Sequence, residues 1–261
     1  KVKKLSKLVL VTFSLMMMFS LNVSAQEAKA EKQTLIKNVS IFNGNSGKLI
    51  TGKDVVVEGN KIKSIVSSGE NESTFDEVID GNGGYLSPGL IDSHWHAVMG
   101  GDEMTFAVGD QHYVQLFAAM EMEEMLLRGV TTIRDAGGNT FGLKKAIDDG
   151  ITDGPRMYPS GALITQYAGH MDFRPPVHTS LPKEWGGPIS NGEINGHALL
   201  ANGPDQVTAA VRQQLFLGAT QIKLAVGGGV SSFEDPLYVN EYTAAEIEAA
   251  VQAAADYGTY V

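Results

Sequence analysis

The stretch Pro88-Gly89-Leu90-Ile91-Asp92-Ser93-His94-Trp95-His96 decides how this chain is read. Its apolar Gly-Leu-Ile lead-in predicts a buried strand over residues 90–96. Strand side chains alternate between faces, so His94 and His96 project together while Ser93 and Trp95 project oppositely. Two imidazoles on one face at a strand end can bind a single Zn2+. Asp92 shares their parity one step deeper, where a carboxylate could orient a ligand imidazole. A bare His-x-His also describes an ordinary pair of surface histidines; the apolar lead-in favours the metal pair by placing it on a buried strand.

Downstream, strand patterns alternate with helical ones, the mark of parallel βα units. Residues 131–134, 156–163 and 221–226 read as further strands. Residues 113–127 carry apolar Val114, Leu116, Phe117, Met120 and Met125, and residues 204–217 carry Val207, Val211 and Leu215, both at helical spacing. Pro204 suits a first helical turn and Gly218 a stop. Thr243 with Glu246 three residues on is a capping box; Ile247 and Val251 then share a face, and Gly258 ends the helix. Gly258-Thr259-Tyr260-Val261 resembles the start of a fifth strand. An unfinished parallel strand leaves its edge unpaired, and a complete (β/α)8 barrel takes about 250 residues. Residues 87–261 are therefore expected to be the first half of such a barrel, truncated, with about four to five strands present. The absence of Met at position 1 points to a trimmed sequence as well.

Upstream, residues 34–42, 54–58 and 61–66 are short β-branched runs broken by Asn43-Gly44-Asn45-Ser46-Gly47 and Gly59-Asn60, which predicts antiparallel strands and hairpins. Residues 67–82 read as a polar loop. The expected division is a signal peptide over 1–25, a small β unit over 26–86 and the half-barrel over 87–261. In the first segment, Lys1, Lys3, Lys4 and Lys7 form a basic start, Leu8 to Leu21 an apolar core, and Val23-Ser24-Ala25 a cleavage site. That core is shorter than the roughly 20 residues a membrane-spanning helix needs. The expectation is an exported protein, periplasmic or secreted, starting at Gln26 and without a stable membrane anchor after cleavage.

The formal charge of −10 argues against nucleic acid as a partner, and the lysines of the leading segment make the remainder more acidic still. With no cysteine, an exported chain has no disulfide to stabilise it, so stability must come from a buried core or a metal. A small-molecule partner and a homo-oligomer are both compatible with this composition.

Pro-Gly-Leu-Ile-Asp-x-His-x-His resembles the first barrel strand of the amidohydrolase superfamily. Gly129-Val130-Thr131-Thr132-Ile133-Arg134-Asp135 is similar to the family's second strand, and Gly218-Ala219-Thr220-Gln221-Ile222-Lys223-Leu224 to its fourth. Gly227-Gly228-Gly229-Val230-Ser231 and Asp235-Pro236 strengthen the likeness to imidazolonepropionase-like and Xaa-Pro dipeptidase-like members. By periodicity alone Lys223, between Ile222 and Leu224, is a snorkelling or salt-bridged lysine. The resemblance implies instead that CO2 carboxylates it, giving an anion that bridges a pair of Zn2+ ions held also by His94 and His96.

The long segment 164–203 is expected to be a functional loop, lining a substrate site at the C-terminal face of a barrel. Within it, Ala168-Gly169-His170-Met171-Asp172 resembles a Gly-Gly-His-Gly-Asp stretch of the subgroup, with Ala168 and Met171 in place of glycines. The resemblance makes His170 a substrate contact; an ordinary surface histidine is the competing reading. For His112, His178 and His197 the surface reading is preferred. Arg134 and Asp135 either reach the site or form a buried ion pair.

The implied activity is hydrolysis of C–N bonds in dipeptides or N-acyl amino acids by metal-activated hydroxide. The remaining ligands and the catalytic aspartate are expected beyond Val261, leaving this fragment inactive alone. The alternatives are an imidazolonepropionase-like hydrolase of cyclic amides and a non-catalytic exported binding protein on the same fold.

Overall fold

The computed structural model describes residues 31–69, 72–101, 109–172, 174, 181, 183–230 and 235–261. The expected signal peptide and His178 lie outside them. Between Pro88 and Gly89 the chain divides into two compact units.

The first unit is a four-stranded sheet: β1 (Gln33–Ile41), β2 (Lys53–Glu58), β3 (Lys61–Ser67) and β4 (Glu77–Leu86), in the order β3-β2-β1-β4. Leu35, Ile41, Val55 and Val56 are its buried apolar residues. Gly59-Asn60 closes the β2–β3 hairpin, and Gly59 takes the φ of +57° that such a turn demands. The expected loop over 67–82 is corrected, because β4 begins at Glu77 inside it and pairs parallel to β1. Gly81, Asn82, Gly83 and Gly84 conceal this strand in the sequence. Asn38 and Asn82, both at positive φ, sit where the β1–β4 register shifts.

The second unit is mixed α/β with parallel sheets. Strands β5 (Leu90–Trp95), β6 (Val130–Asp135) and β7 (Arg156–Pro159) form one parallel sheet, and β8 (Leu163–Thr165) pairs parallel with β9 (Ala198–Leu200). Helices α1 (Gln111–Leu127), α2 (Phe141–Asp148), α3 (Asn191–Ile194), α4 (Pro204–Leu217) and α5 (Ala244–Ala255) complete it.

Helix α1 buries Val114, Ala118, Met122 and Met125, whereas Leu116 and Met120 are exposed. The core face therefore follows the small residue Ala118 rather than the largest side chains. Helix α4 opens on Pro204 and stops at Gly218, whose φ is +107°. The Thr243–Glu246 capping box starts α5, which buries Ala250, Ala253 and Ala254 and leaves Val251 exposed.

Four expectations change. The strand over 156–163 ends at Pro159, the chain turns at Gly161 (φ +73°), and of that range only Leu163 joins β8, which pairs with β9. The segment 164–203 thus contains α3 and β9 and is not one loop. Residues 221–226 form no regular ladder: Ile164 and Leu224 make a single parallel bridge, with Ile164 N–H donating to the Lys223 carbonyl at 3.1 Å. At the chain's end, Ile222 N–H donates to the Tyr260 carbonyl, but residues 258–261 form no regular strand.

Candidate functional site

Strand β5 ends at Trp95, and His96 follows in extended backbone (φ −132°, ψ 91°). The His94 and His96 rings consequently share a face, with centroids 5.3 Å apart and planes tilted by 56°. Lys223 brings its Nζ to 3.3 Å from Nε2 of His94. The three expected metal-site residues are therefore neighbours, although they arrive from segments well separated in sequence.

The protonation of this group follows from its surroundings. The Lys223 charge, then burial, push His94 below the usual histidine range. Burial lowers His96 to about 4. Burial and the nearby Arg134 guanidinium lower Lys223 as well. Every one of these shifts favours the neutral form, in which imidazole offers a lone pair to a metal and amine nitrogen can attack CO2. Among the described residues no three His, Asp or Glu side chains gather as a metal site. As the carbamate that the resemblance implies, Lys223 would add an anionic oxygen donor beside His94 and His96. The residues fit the ion pair that the family pattern implies.

Backbone contacts set these side chains. The His96 ring Nδ1 faces the Gly137 carbonyl at 3.4 Å. Asp92 does not orient an imidazole: its Oδ1 accepts the His94 backbone N–H at 2.9 Å, because a short carboxylate two residues back reaches the main chain first. Arg134 and Asp135 form no ion pair, since consecutive strand residues point to opposite faces. Arg134 Nε donates to the Ser93 carbonyl at 2.7 Å and its Nη1 to the Tyr260 hydroxyl at 3.3 Å. Asp135 is fully buried; its Oδ1 accepts the Ala97 N–H at 3.0 Å and its Oδ2 the Thr140 hydroxyl at 2.6 Å. Burial pushes its carboxyl up to about 7.

Gln221, missed in the sequence, substitutes for the absent ladder. Its Nε2 donates to the carbonyls of Tyr158 at 2.8 Å and Asp135 at 3.2 Å, which ties the Lys223 segment to the ends of β6 and β7. A cavity of about 150 Å3 is lined by His94, Arg134, Gln221, Lys223 and Tyr260, among others. A larger one, about 310 Å3, includes Asn139, Phe141, Lys183 and Leu217 in its wall but none of the expected site residues.

His170 is half-buried. Its Nδ1 lies 3.0 Å from Oδ2 of the buried Asp235, and its backbone N–H donates to Glu241 Oε1 at 2.7 Å. The His170 ring lies within electrostatic reach of His96. Ala168 adopts φ +56°, and Met171 is buried in a cluster with Leu163 and Ala225. His112 is exposed as expected. His197 is not: it is fully buried, its Nδ1 accepts the Asn139 N–H at 3.2 Å, and burial lowers it to about 4. No pattern around His197 announces that burial, which comes from the turn at Gly196 (φ +71°) leading into β9.

Comparison with known proteins gives the same direction. Ochratoxinase of Aspergillus niger is 32% identical over 193 residues, covering 65% of this chain and 37% of its own length. A prolidase solved with N-methylphosphonate-L-proline superposes with a TM-score of 0.77 at 30% identity, over 88% of this chain and 55% of that one. A Xaa-Pro dipeptidase with methionine bound in its active site gives 0.73 at 28% identity, over 88% and 56%. The chain thus spans between about a third and somewhat more than half of the length of these relatives. The model of the amidohydrolase family matches residues 85–261, and the chain belongs to that family.

Proposed function

We propose that this chain is the front part of an exported, metal-dependent hydrolase of C–N bonds, acting on dipeptides or N-acyl amino acids. The observation that carries the reading is the convergence of His94, His96 and Lys223, each shifted toward its neutral form. In this reading the Lys223 amine forms an N–C bond to CO2 and releases a proton to solvent. The resulting carbamate, with the two imidazoles, holds a pair of Zn2+ ions. When bound, the ions supply Lewis acidity toward an amide carbonyl and lower the pKa of water toward neutrality. His170 contacts substrate. The amide-cleaving class is supported by the likeness to prolidase and Xaa-Pro dipeptidase structures.

The same reading takes residues 87–261 as the first half of a (β/α)8 barrel, 26–86 as a β-sandwich-like unit, and 1–25 as a cleaved signal peptide. Export places the protein in the periplasm or outside the cell. The remaining metal ligands and an acid-base aspartate then come from sequence beyond Val261.

The test is metal content by mass spectrometry on the full gene product from Gln26, beside a Lys223→Ala variant. About two Zn2+ per wild-type chain, as in a two-metal site, and a clear fall in the variant are expected. A folded wild-type protein without metal overturns the reading and leaves the binding-protein alternative. Export is tested separately, by N-terminal sequencing of protein recovered outside the cytoplasm.

A further inference from the structure

We infer that Asp235 is a positioning residue for His170, accepting the imidazole Nδ1–H so that the ring meets substrate through Nε2. This rests on the reading of His170 as the substrate contact. The arrangement itself is independent of metal.

Three contacts converge on that histidine, and a fourth holds Asp235. Asp235 Oδ2, on a side chain only 1% exposed, lies 3.0 Å from Nδ1 of His170. The same oxygen accepts the Gly229 backbone N–H at 2.7 Å. An ionised carboxylate only accepts hydrogen bonds, so an imidazole nitrogen at this distance must carry its proton. Glu241 Oε1 fixes the His170 main chain by accepting its N–H at 2.7 Å. Gly229 closes the other side: a Cβ there would stand 1.8 Å from Cε1 of the ring. An exposed, unconstrained histidine would show none of this.

The clamp also couples His170 to the metal-site segment. Glu241 N–H donates to the Val226 carbonyl at 3.0 Å, and Gly227 bridges antiparallel to Asn240. Residues 235–241 are thereby fastened to backbone that begins three residues after Lys223. A substrate contact held by this route keeps a fixed relation to Lys223, as orientation in an active site requires. Conversely, the carboxylate fixes which ring nitrogen bears hydrogen, a choice that an unpartnered imidazole leaves open.

The experiment is 1H–15N long-range correlation on the full-length, untagged protein labelled with 15N-histidine. His170→Gln identifies the ring signals of His170. Wild type should show the Nδ1–H form. Asp235→Ala should shift it toward the Nε2–H form, and Asp235→Asn should restore Nδ1–H, because the Gly229 N–H keeps the new carbonyl oxygen in place. Gly229→Ala should disturb the ring without touching Asp235. If amide hydrolysis is found, Asp235→Ala should change KM more than kcat, with metal content unchanged. A wild-type Nε2–H form overturns the inference, as does an unchanged Nδ1–H form in a folded Asp235→Ala protein. Should Asp235→Ala fail to fold, the wild-type, Asp235→Asn and Gly229→Ala spectra decide. Nδ1–H in a protein that binds no metal supports the clamp while overturning the hydrolase reading.

Discussion

Ala168→Gly should stabilise this protein. Ala168 stands where the resembling subgroup carries glycine, and its φ of +56° lies in the left-handed region. There an L-residue with a Cβ is disfavoured by about 1–2 kcal/mol. Glycine removes that strain but gives back about 0.5–1 kcal/mol through the greater freedom of the unfolded chain. The methyl group is on an exposed residue, so its loss forfeits little burial. The local hydrogen bonds are main-chain in origin and survive: Ala168 N–H to Asp172 Oδ2 at 2.8 Å, and Gly169 N–H to the Gln166 carbonyl at 3.2 Å. The balance is a gain of up to about 1.5 kcal/mol, or up to about 6 °C in Tm for a unit of this size. Both tryptophans, Trp95 and Trp185, lie beyond Gly89, so urea titration followed by their fluorescence reports this unit. The midpoint should rise with an unchanged m value. Ala168→Asn, which tolerates the left-handed region, should fall close to wild type. A lower midpoint for Ala168→Gly would refute the reasoning, because it would mean that the alanine is chosen for a contact and tolerated at no strain.

Two further changes probe the site's support. The folded-state pKa of Asp135 is raised to about 7, so the folded form keeps a proton that the unfolded chain gives up near 4. Its contribution is therefore fully present below about pH 4 and is lost as pH rises through about 7, by an amount on the order of a few kcal/mol. In metal-free protein, Asp135→Asn should match wild type at about pH 4 and exceed it in urea midpoint at about pH 8; parallel pH curves would reject this. Gln221→Leu removes the donors to Tyr158 and Asp135 and should cost about 1–3 kcal/mol, with weaker metal retention on dialysis. Unaltered stability would show that the main chain alone holds the Lys223 segment.

Much of the site was legible because strand parity is a strict rule. His94 and His96 had to share a face whatever the rest of the fold did, whereas the same parity applied to Lys223 assumed a strand over 221–226 that the structure does not form. The capping box at Thr243–Glu246 was equally plain, since it depends on residues within one helical turn. By contrast, Arg134 next to Asp135 invited an ion-pair reading that parity itself forbids. Asp235 stood in the sequence as part of a family-like Asp-Pro, but nothing local connected it to His170, which lies 65 positions earlier.

The sequence by itself determined the family, the shared face of His94 and His96 and the alternation of strand and helix patterns, all of which are encoded in short-range spacing. Only the tertiary structure decided that the Gly-rich 81–84 region lies in a strand, that 221–226 is held by scattered main-chain hydrogen bonds and a glutamine amide rather than a ladder, and that His197 is buried. It also decided that Lys223 meets His94 and that Asp235 holds His170. Those outcomes depend on which distant backbone groups and side chains come to share a buried space. Desolvation and unpaired hydrogen-bonding groups set the energies there, and neither is written in the order of neighbouring residues.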